Sequence, residues 1–467
     1  MTDHDQTGTP SDAAPLDTIV IGGGISGLTT AWGLARAGKR IALIEAAPRA
    51  GGVIGTLRED GWQTETGPNT LMVKAPLYAL LADLGLTEEA ILADQRAARR
   101  YVVSQGQMVA LPSGPVSALT SPLMRPVWPW LLREPWIAPA KGEETVAGFV
   151  SRRLGPAMLR SFVDPFVSGI FGGDPARLSV QAAFPRLAAL ESGHGSILRG
   201  ALAKMVTKPA PSPFPRPPKG WRSVIASFPK GLQTLPERLA DRLADHAEVM
   251  LDTPVSRIAR VGDLWQVEAK GQIREARQLV LAVPAKAAAA LLEPLDAEIA
   301  ALLNQIVYAP MASLALGFAP GTVAHPLDAF GVLLPRPEGR RTLGALFPST
   351  LFAGRAPEGG KLISAFIGGR LDPGAVTLSD DELTGIAMRE LGDLLGLSAP
   401  PVWRHVRRWP EAIPQYEIGH LDRIAAIAAR EELMPGLTLT GNWRGGISMT
   451  DCVTNGLTLA AQLAERP

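Results

Sequence analysis

Residues Ile19 to Gly52, reading IVIGGGISGLTTAWGLARAGKRIALIEAAPRAGG, constrain this chain more than any other stretch. Ile19, Val20 and Ile21 form a β-branched run suited to a buried parallel strand, and they lead straight into Gly22, Gly24 and Gly27 in G-x-G-x-x-G spacing. The first glycine permits a tight turn, the second lets a pyrophosphate approach the backbone, and the third lets a helix pack closely on the strand. The spacing predicts that helix from about Ser26 to Ala37, with Leu28, Ala31, Leu34 and Ala35 on one apolar face. Its first residues, Ile25 and Ser26, then offer free N–H groups to phosphate. Gly38 ends the helix, and Ile41–Ile44 make a second strand. Glu45, followed by Ala46, stands at that strand's end to accept ribose hydroxyls. A carboxylate there repels a 2′-phosphate, which disfavours NADP.

The continuation separates one dinucleotide from another. Arg49, Gly51 and Gly52 follow the acidic strand end, and Gly61, Glu65 and Gly67-Pro68-Asn69-Thr70 come next. This resembles the R-x-G-G extension of the flavoprotein family that includes amine oxidases, phytoene desaturases and protoporphyrinogen oxidases, and the resemblance implies FAD. It also implies that Arg49 lies by the diphosphate, while Gly51, Gly52, Gly67 and Pro68 let the backbone pass the cofactor. The plain alternative for Arg49 is a solvated surface charge.

The chain has 467 residues, enough for two or three domains. Its 46 Lys and Arg nearly cancel its 45 Asp and Glu, so no general attraction for nucleic acid follows. One cysteine, Cys452, excludes an internal disulfide and a cysteine metal cluster, and the 6 scattered histidines lack ligand spacing, so no metal site is expected. No G-x-S-x-G elbow supports a hydrolase. The first seventeen residues contain no Lys or Arg and read as a disordered tail rather than a leader. Apolar runs such as 279–292 are broken by Pro284 and Lys286, so no membrane span is expected and a cytoplasmic protein is the simplest reading. The segment Pro122 to Trp136, PLMRPVWPWLLREPW, reads either as an interfacial patch for a membrane surface or as internal core.

The expected fold class is α/β (α+β overall): a Rossmann-like FAD-binding domain interrupted by a mixed-sheet substrate domain and a helical, membrane-associating domain. Residues 1–17 form the tail, and 18–76, 223–290 and 405–467 the FAD-binding domain. Residues 77–204 are the helical part, 205–222 a proline-rich linker, and 291–404 the substrate-binding domain. Residues 251–258, 265–267 and 279–284 read as strands that complete the first sheet. A strand-rich block from Val307 to Gly369 precedes a helix from Ser379 to Leu395. Near the C-terminus, Leu437 to Val453 reads as strand, glycine-rich turn and a helix from about Thr450 to Ala464, whose N-terminus around Ile447, Ser448 and Met449 faces an anion or the polar edge of a flavin. The plain alternative is a terminal unit that only completes the sheet.

A narrower likeness runs through Phe149 to Gly155, Asp164 to Asp174, Leu178-Ser179, His194 to Ser196, FPKGLQTL at Phe228 to Leu235, Pro414-Gln415-Tyr416 with Gly419-His420, and GNWRGGISMTDCVTNG. Over nearly the whole chain these motifs resemble the oxygen-dependent protoporphyrinogen oxidases. The resemblance implies a methylene-bridge hydride passing to the flavin, O2 reduced to hydrogen peroxide, and three such cycles to the aromatic porphyrin. Arg100 matches the family's carboxylate-binding Arg, although Arg99 beside it leaves the choice open, and a surface basic pair is the plainer reading. Phe330, Leu333, Leu346 and Phe366 resemble the residues that sandwich the tetrapyrrole, while by residue type Phe330 and Leu333 are ordinary core. Asn69 matches a residue near the flavin and is otherwise a turn asparagine. The backbone near Val255 would meet the adenine and Trp409 would lie on the cofactor. Trp443 stands where Tyr is common and is expected to preserve stacking. The implied partners are a porphyrinogen, O2, a membrane surface and a ferrochelatase, with the chain a monomer or a homodimer.

Three other functions stay in view. A coproporphyrinogen III oxidase of the same fold would have more carboxylates to neutralise. An amine oxidase would need an aromatic cage, for which Tyr is scarce. A non-catalytic flavin-binding scaffold would hold FAD without producing peroxide.

Overall fold

The computed structural model describes residues 14–207, 212–222 and 224–466. Two seven-stranded sheets form its framework. In the first, β1 (Leu16–Ile21) lies parallel between β2 (Ile41–Ile44) and Gln272–Leu281, with Val20 opposite Leu43 and Val280. Glu248–Met250 extends the parallel array beyond β2, and Leu437–Leu439 adds to the far side of Gln272–Leu281. The N-terminal half of Gln272–Leu281 instead pairs antiparallel with Leu264–Ala269, which pairs in turn with Val255–Val261. All four residues of β2 are buried, the pattern of a strand covered on both faces. One face lies under α1 (Ile25–Arg36) and the C-terminal helix Met449–Ala464. The other lies under Ala285–Leu292 and Ala297–Asn304.

The second sheet runs in the order Trp403–Pro414, Tyr308–Phe318, Lys361–Gly368, Thr342–Leu346, Gly331–Leu333, Tyr101–Ser104, Gln107–Ala110. Its cross-strand row Leu314, Ala365, Ala345, Val332 packs under the helix Asp380–Leu395, which starts at a Ser379–Glu382 capping box. The hairpin Thr56–Glu59/Trp62–Glu65 covers one end of the opposite face, where Trp62 stacks on Trp403 at 5.9 Å.

Several boundaries differ from expectation. β1 begins at Leu16, so the expected tail 1–17 overruns the first strand; residues 1–13 lie outside the described residues. Tyr101–Ser104 and Gln107–Ala110, expected within a helical stretch, pair as a hairpin, and Gly331–Leu333 offers Tyr101 and Val102 a parallel partner. Trp403–Pro414, assigned from residue 405 to the FAD domain, pairs with Tyr308–Phe318 in the second sheet. The strand expected over 251–258 starts only at Val255; residues 251–254, with Asp252 at a φ of 50°, connect it to Glu248–Met250, which ends just before that range. Of the linker 205–222, the first residues finish the helix Ile197–Val206, and Trp221 packs on Tyr78 at 5.5 Å; residues 208–211 lie outside the described residues.

The helical part packs Val146–Leu154, Asp164–Phe171, Pro185–His194 and Ile197–Val206 around Phe149, Val167 and Ile197. Glu134 and Arg153 are both fully buried there and paired. The Glu134 carboxylate also accepts from Ser196 Oγ at 2.5 Å, Ile197 N at 2.8 Å and Leu198 N at 3.1 Å, closing the N-terminus of Ile197–Val206. Sequence reading gave Glu134 no role, since nothing local in EPW tells a buried cap from a surface charge.

Candidate active site

The glycines of the fingerprint are fixed by contact. A Cβ on Gly27 would lie 1.9 Å from Gly22 O, and one on Gly22 would lie 2.5 Å from Ala282 O. Gly24 differs: a Cβ there would meet nothing within 4 Å, so this point of the loop faces open space. It is the N-cap of α1 and supplies no side chain to the helix, which leaves the first-turn N–H groups around Ile25 and Ser26 directed at that space. Beside it, Glu45 ends β2 and accepts from Gly23 N at 2.6 Å and Ala47 N at 2.7 Å, orienting the carboxylate at the loop. Thr253 N donates to Glu45 O at 2.8 Å, so the chain leading into Val255 runs along the same rim. Amide donors at a helix N-terminus with a carboxylate at the next strand's end fit the phosphate and ribose groups of a dinucleotide.

The segment 49–54 folds onto this loop. Gly51 N donates to Gly23 O at 2.7 Å, and a Cβ on Gly52 would come 3.3 Å from the Gly24 Cα. Arg49 holds it in place, donating to Ile54 O at 2.7 Å and Gly52 O at 3.0 Å. Gly67 lies so near Val53 that a Cβ would be 2.0 Å from its carbonyl oxygen, and Pro68 continues past it. Asn69 Nδ2 donates back to Gly67 O at 3.1 Å, and Trp409 Nε1 donates to Thr66 O at 2.7 Å, tying the second sheet to this turn.

A second helix N-terminus arrives from the far end of the sequence. A Cβ on Gly33 would lie 2.5 Å from Ala460 Cβ, and one on Gly456 would lie 2.9 Å from Thr29 Cβ and 3.0 Å from Ser26 O. The contacts advance together along both helices, so α1 and Met449–Ala464 run parallel and present their N-termini at the same end. Ser448 caps the second helix, accepting from Asp451 N at 3.1 Å, and Ile447 and Met449 flank it. Trp443 does not stack as expected. It is 0 % exposed, belongs to the core under the first sheet and donates from Nε1 to Val283 O at 3.1 Å. Its indole is too large for the turn to leave outside, and apolar burial wins.

The second sheet supplies the other wall. Leu333 pairs with Gly344, Gly344 with Phe366, and Leu346 lies two residues beyond Gly344, so Leu333, Leu346 and Phe366 share one face. All three are half-buried, whereas Val332, Ala345 and Ala365 on the opposite face are in the core. Gly169 of Asp164–Phe171 closes over Leu333, where a Cβ would sit 2.6 Å from Leu333 Cδ2. Next to this face, Arg99 is paired with Asp328 at 2.5 Å, while the guanidinium of Arg100 lies 5.2 Å from the Phe330 ring. Arg100 is exposed and, among the described residues, has no carboxylate within ion-pair distance. Phe330 itself packs beside Leu351 and Phe352.

Between the two walls lies a cavity of about 10 Å³ lined by Asn69, Leu346, Gln63, Glu65, Phe352 and Arg355. Glu65 and Arg355 approach to 3.7 Å with both side chains almost wholly buried. Burial raises the Glu65 carboxyl to about 7, outweighing the opposing hydrogen bond from Thr56 and the charge of Arg355. Burial likewise lowers Arg355, so desolvation exceeds pairing at both ends. Glu65 was visible in the sequence only as part of the T-E-T-G-P run, and Arg355 carried no signal. A larger open cleft of about 500 Å³ lies between Leu437–Thr440, the turn at Arg444 and Gly445, and the face of Met449–Ala464 that carries Asn455 and Thr458.

Paired helix N-termini, a carboxylate-ended strand and a facing half-open apolar sheet make the arrangement of a flavin-dependent oxidoreductase. The chain belongs to the flavin containing amine oxidoreductase family, which matches residues 25–464. FAD is its cofactor. Among relatives, it is 34% identical over 479 residues to protoporphyrinogen oxidase 1, chloroplastic, of Spinacia oleracea, covering 96% of this chain and 84% of that one. It is 32% identical over 475 residues to the chloroplastic protoporphyrinogen oxidase of Nicotiana tabacum, covering 97% and 86%. The coproporphyrinogen III oxidase of Bacillus subtilis (strain 168) is 29% identical over 458 residues, covering 94% and 96%. In fold, the chain matches a candidate protoporphyrinogen oxidase from Exiguobacterium sp. 255-15 with a TM-score of 0.79 at 24% identity, over 98% and 99% of the two chains.

Proposed function

We propose that this chain is an oxygen-dependent oxidase of protoporphyrinogen IX, forming protoporphyrin IX. The observation that carries the reading is the half-open face of Leu333, Leu346 and Phe366 beside one unpaired guanidinium, Arg100. A flexible apolar macrocycle with propionates asks for that combination, and the planar fork of Arg100 can hold a carboxylate through two parallel hydrogen bonds. Bound FAD would supply the redox chemistry, a hydride acceptor for the substrate carbon and a route for the electrons to O2. The chain's own residues bind, orient and exclude water: Gly169 and Leu333 close one side, Asn69 stands at the junction of the two walls, and Arg100 fixes the polar edge.

The tyrosines speak against an amine oxidase. Each of the 4 is engaged elsewhere: Tyr78 on Trp221, Tyr101 on His325, Tyr308 accepting from Ala285 N, and Tyr416 at the glycine turn. No aromatic cage forms from them.

Anaerobic mixing with protoporphyrinogen IX, followed by air, tests the proposal, with coproporphyrinogen III in parallel. Fast flavin bleaching with the first substrate, then peroxide and fluorescent protoporphyrin, is the expected result. A preference for coproporphyrinogen would move the substrate within the same chemistry, and an unbleached flavin with both would overturn the proposal. The product is a free-base porphyrin, the substrate class of a ferrochelatase, which is the partner proposed to take it.

The site is proposed to work at a membrane surface from the cytoplasmic side. No helix among the described residues is long and apolar enough to cross a membrane. Yet Trp136 is 79 % exposed, Leu132 71 % and Met205 82 %, and the Glu134 cap joins the turn of Trp136 to the helix of Met205. Arg125 precedes Leu132 and Arg133 stands between Leu132 and Trp136, the composition of an interfacial anchor.

A further inference from the structure

We propose that Tyr416 is a positioning residue that sets the glycine-rich turn 441–448 against the flavin, resting on the reading that this turn lines the cofactor cradle. The Tyr416 hydroxyl donates to Asn442 O at 2.7 Å and accepts from Gly446 N at 2.9 Å, so one oxygen spans the turn. The first half of the turn is also held by Trp443 Nε1 to Val283 O at 3.1 Å, the Arg444–Glu431 pair at 2.6 Å and Asn455 Nδ2 to Arg444 O at 3.3 Å, whereas the Gly446 N–H has the Tyr416 oxygen as its partner. Gly445 and Gly446 take φ of 83° and 130°, and Arg444 N donates to Gly441 O at 3.2 Å.

Tyr416 itself is anchored from outside the turn. It is 3 % exposed and its ring stacks on His420 at 4.2 Å and 12°. Its carbonyl oxygen accepts from Ser179 N at 2.8 Å, in the helical part. Immediately before it, Gln415 N donates to Val307 O and Gln415 Nε2 to Phe171 O, both at 2.8 Å, and the strand Trp403–Pro414 of the second sheet leads into the pair. Immediately after it, Glu417 is paired with Arg177 and Arg370. The phenol therefore joins three bodies: the substrate sheet that delivers it, the helical part that holds its backbone, and the turn that opens the C-terminal helix. Burial drives the phenol above its ordinary range, so it stays a donor at working pH. His420, pushed down to about 4 by burial, is neutral beside it.

Through this oxygen the height of the Met449–Ala464 N-terminus is fixed relative to the slot of Leu333 and Phe366, and hence the flavin edge relative to substrate. Tyr416→Phe keeps the ring and its stack and removes only the hydroxyl. In the FAD-loaded variant, amide exchange at Gly446 should quicken roughly tenfold, the scale of one lost hydrogen bond. FAD should dissociate several-fold faster and the visible flavin band should shift, while the far-UV spectrum stays that of the parent. Unchanged Gly446 exchange together with an unchanged FAD off-rate would overturn the proposal. Should the variant not fold, the parent holoenzyme decides, because a fast-exchanging Gly446 amide there is incompatible with the bond. None of these readouts uses a porphyrinogen, so a chain that oxidises another substrate would give the same answer here while failing the substrate test.

Discussion

Gly33 and Ala460 face each other across two parallel helices so closely that a Cβ on Gly33 would stand 2.5 Å from that of Ala460. This contact sets how closely the two helices pack toward their C-terminal ends, as Gly456 against Thr29 and Ser26 does nearer the N-termini at the cofactor. Gly33→Leu should push Met449–Ala464 outward, destabilise the protein by about 1–3 kcal/mol and weaken FAD retention. Denaturant midpoints and flavin release on dilution measure both, and an unchanged midpoint would show that the helices can part without cost.

Arg100 and Arg99 should separate cleanly in steady-state kinetics. Losing a charge-assisted bond to a propionate in Arg100→Ala should raise KM roughly 10- to 100-fold with a smaller change in kcat. Arg99→Ala, which removes only an exposed pair with Asp328, should leave KM within about twofold. The reverse pattern would assign the propionate to Arg99.

Glu65 should make stability depend on pH. Its carboxyl ordinarily titrates at 4.5 and in the fold at about 7, so between those values the folded state binds more protons than the unfolded chain. The contribution is fully present below 4.5 and is lost as pH rises through 7, with a slope on the order of 1.4 kcal/mol per unit between them. Thr56, Leu232 N and Arg355 face the carboxyl and all oppose the rise, without cancelling it. In Glu65→Gln, urea midpoints from pH 5 to 7 should lose that slope, and a slope that survives would place the titration elsewhere.

The fingerprint was legible because its causes are local: Gly27 must be glycine on account of Gly22, and Glu45 ends the next strand. The slot was legible only through resemblance, because Leu333, Gly344 and Phe366 meet by cross-strand register, which no single segment encodes. Tyr101–Ser104 escaped because YVVS lacks alternation, although its hairpin partner Gln107–Ala110 follows after two residues; its second partner, Gly331–Leu333, lies far along the chain. Trp443 shows the other limit: an indole near a glycine turn reads as a stacking group, and only the fold reveals that it is core.

The apolar group around Trp136 should matter on vesicles and not in detergent. Trp136→Ser combined with Met205→Ser should lower binding to anionic vesicles at least tenfold, with turnover in detergent unchanged. Glu134→Ala should act differently, destabilising by about 1–3 kcal/mol because it leaves the buried Arg153 with Glu191 as its remaining carboxylate and takes the acceptor from Ser196 Oγ, Ile197 N and Leu198 N. Vesicle flotation and thermal unfolding distinguish the two, and equal flotation of parent and double variant would remove this face from membrane contact.

Parallel packing of α1 against Met449–Ala464 also governs when this protein can first take up its cofactor. Half of the cradle is translated early and the other half late, with the middle strand Gln272–Leu281 completed on its far side only by Leu437–Leu439. A ribosome-bound chain thus carries an open, half-built sheet through most of its synthesis. Flavin capture therefore waits until residues 437–464 have joined the sheet, and FAD, binding the completed cradle and not its halves, then stabilises the fold by mass action.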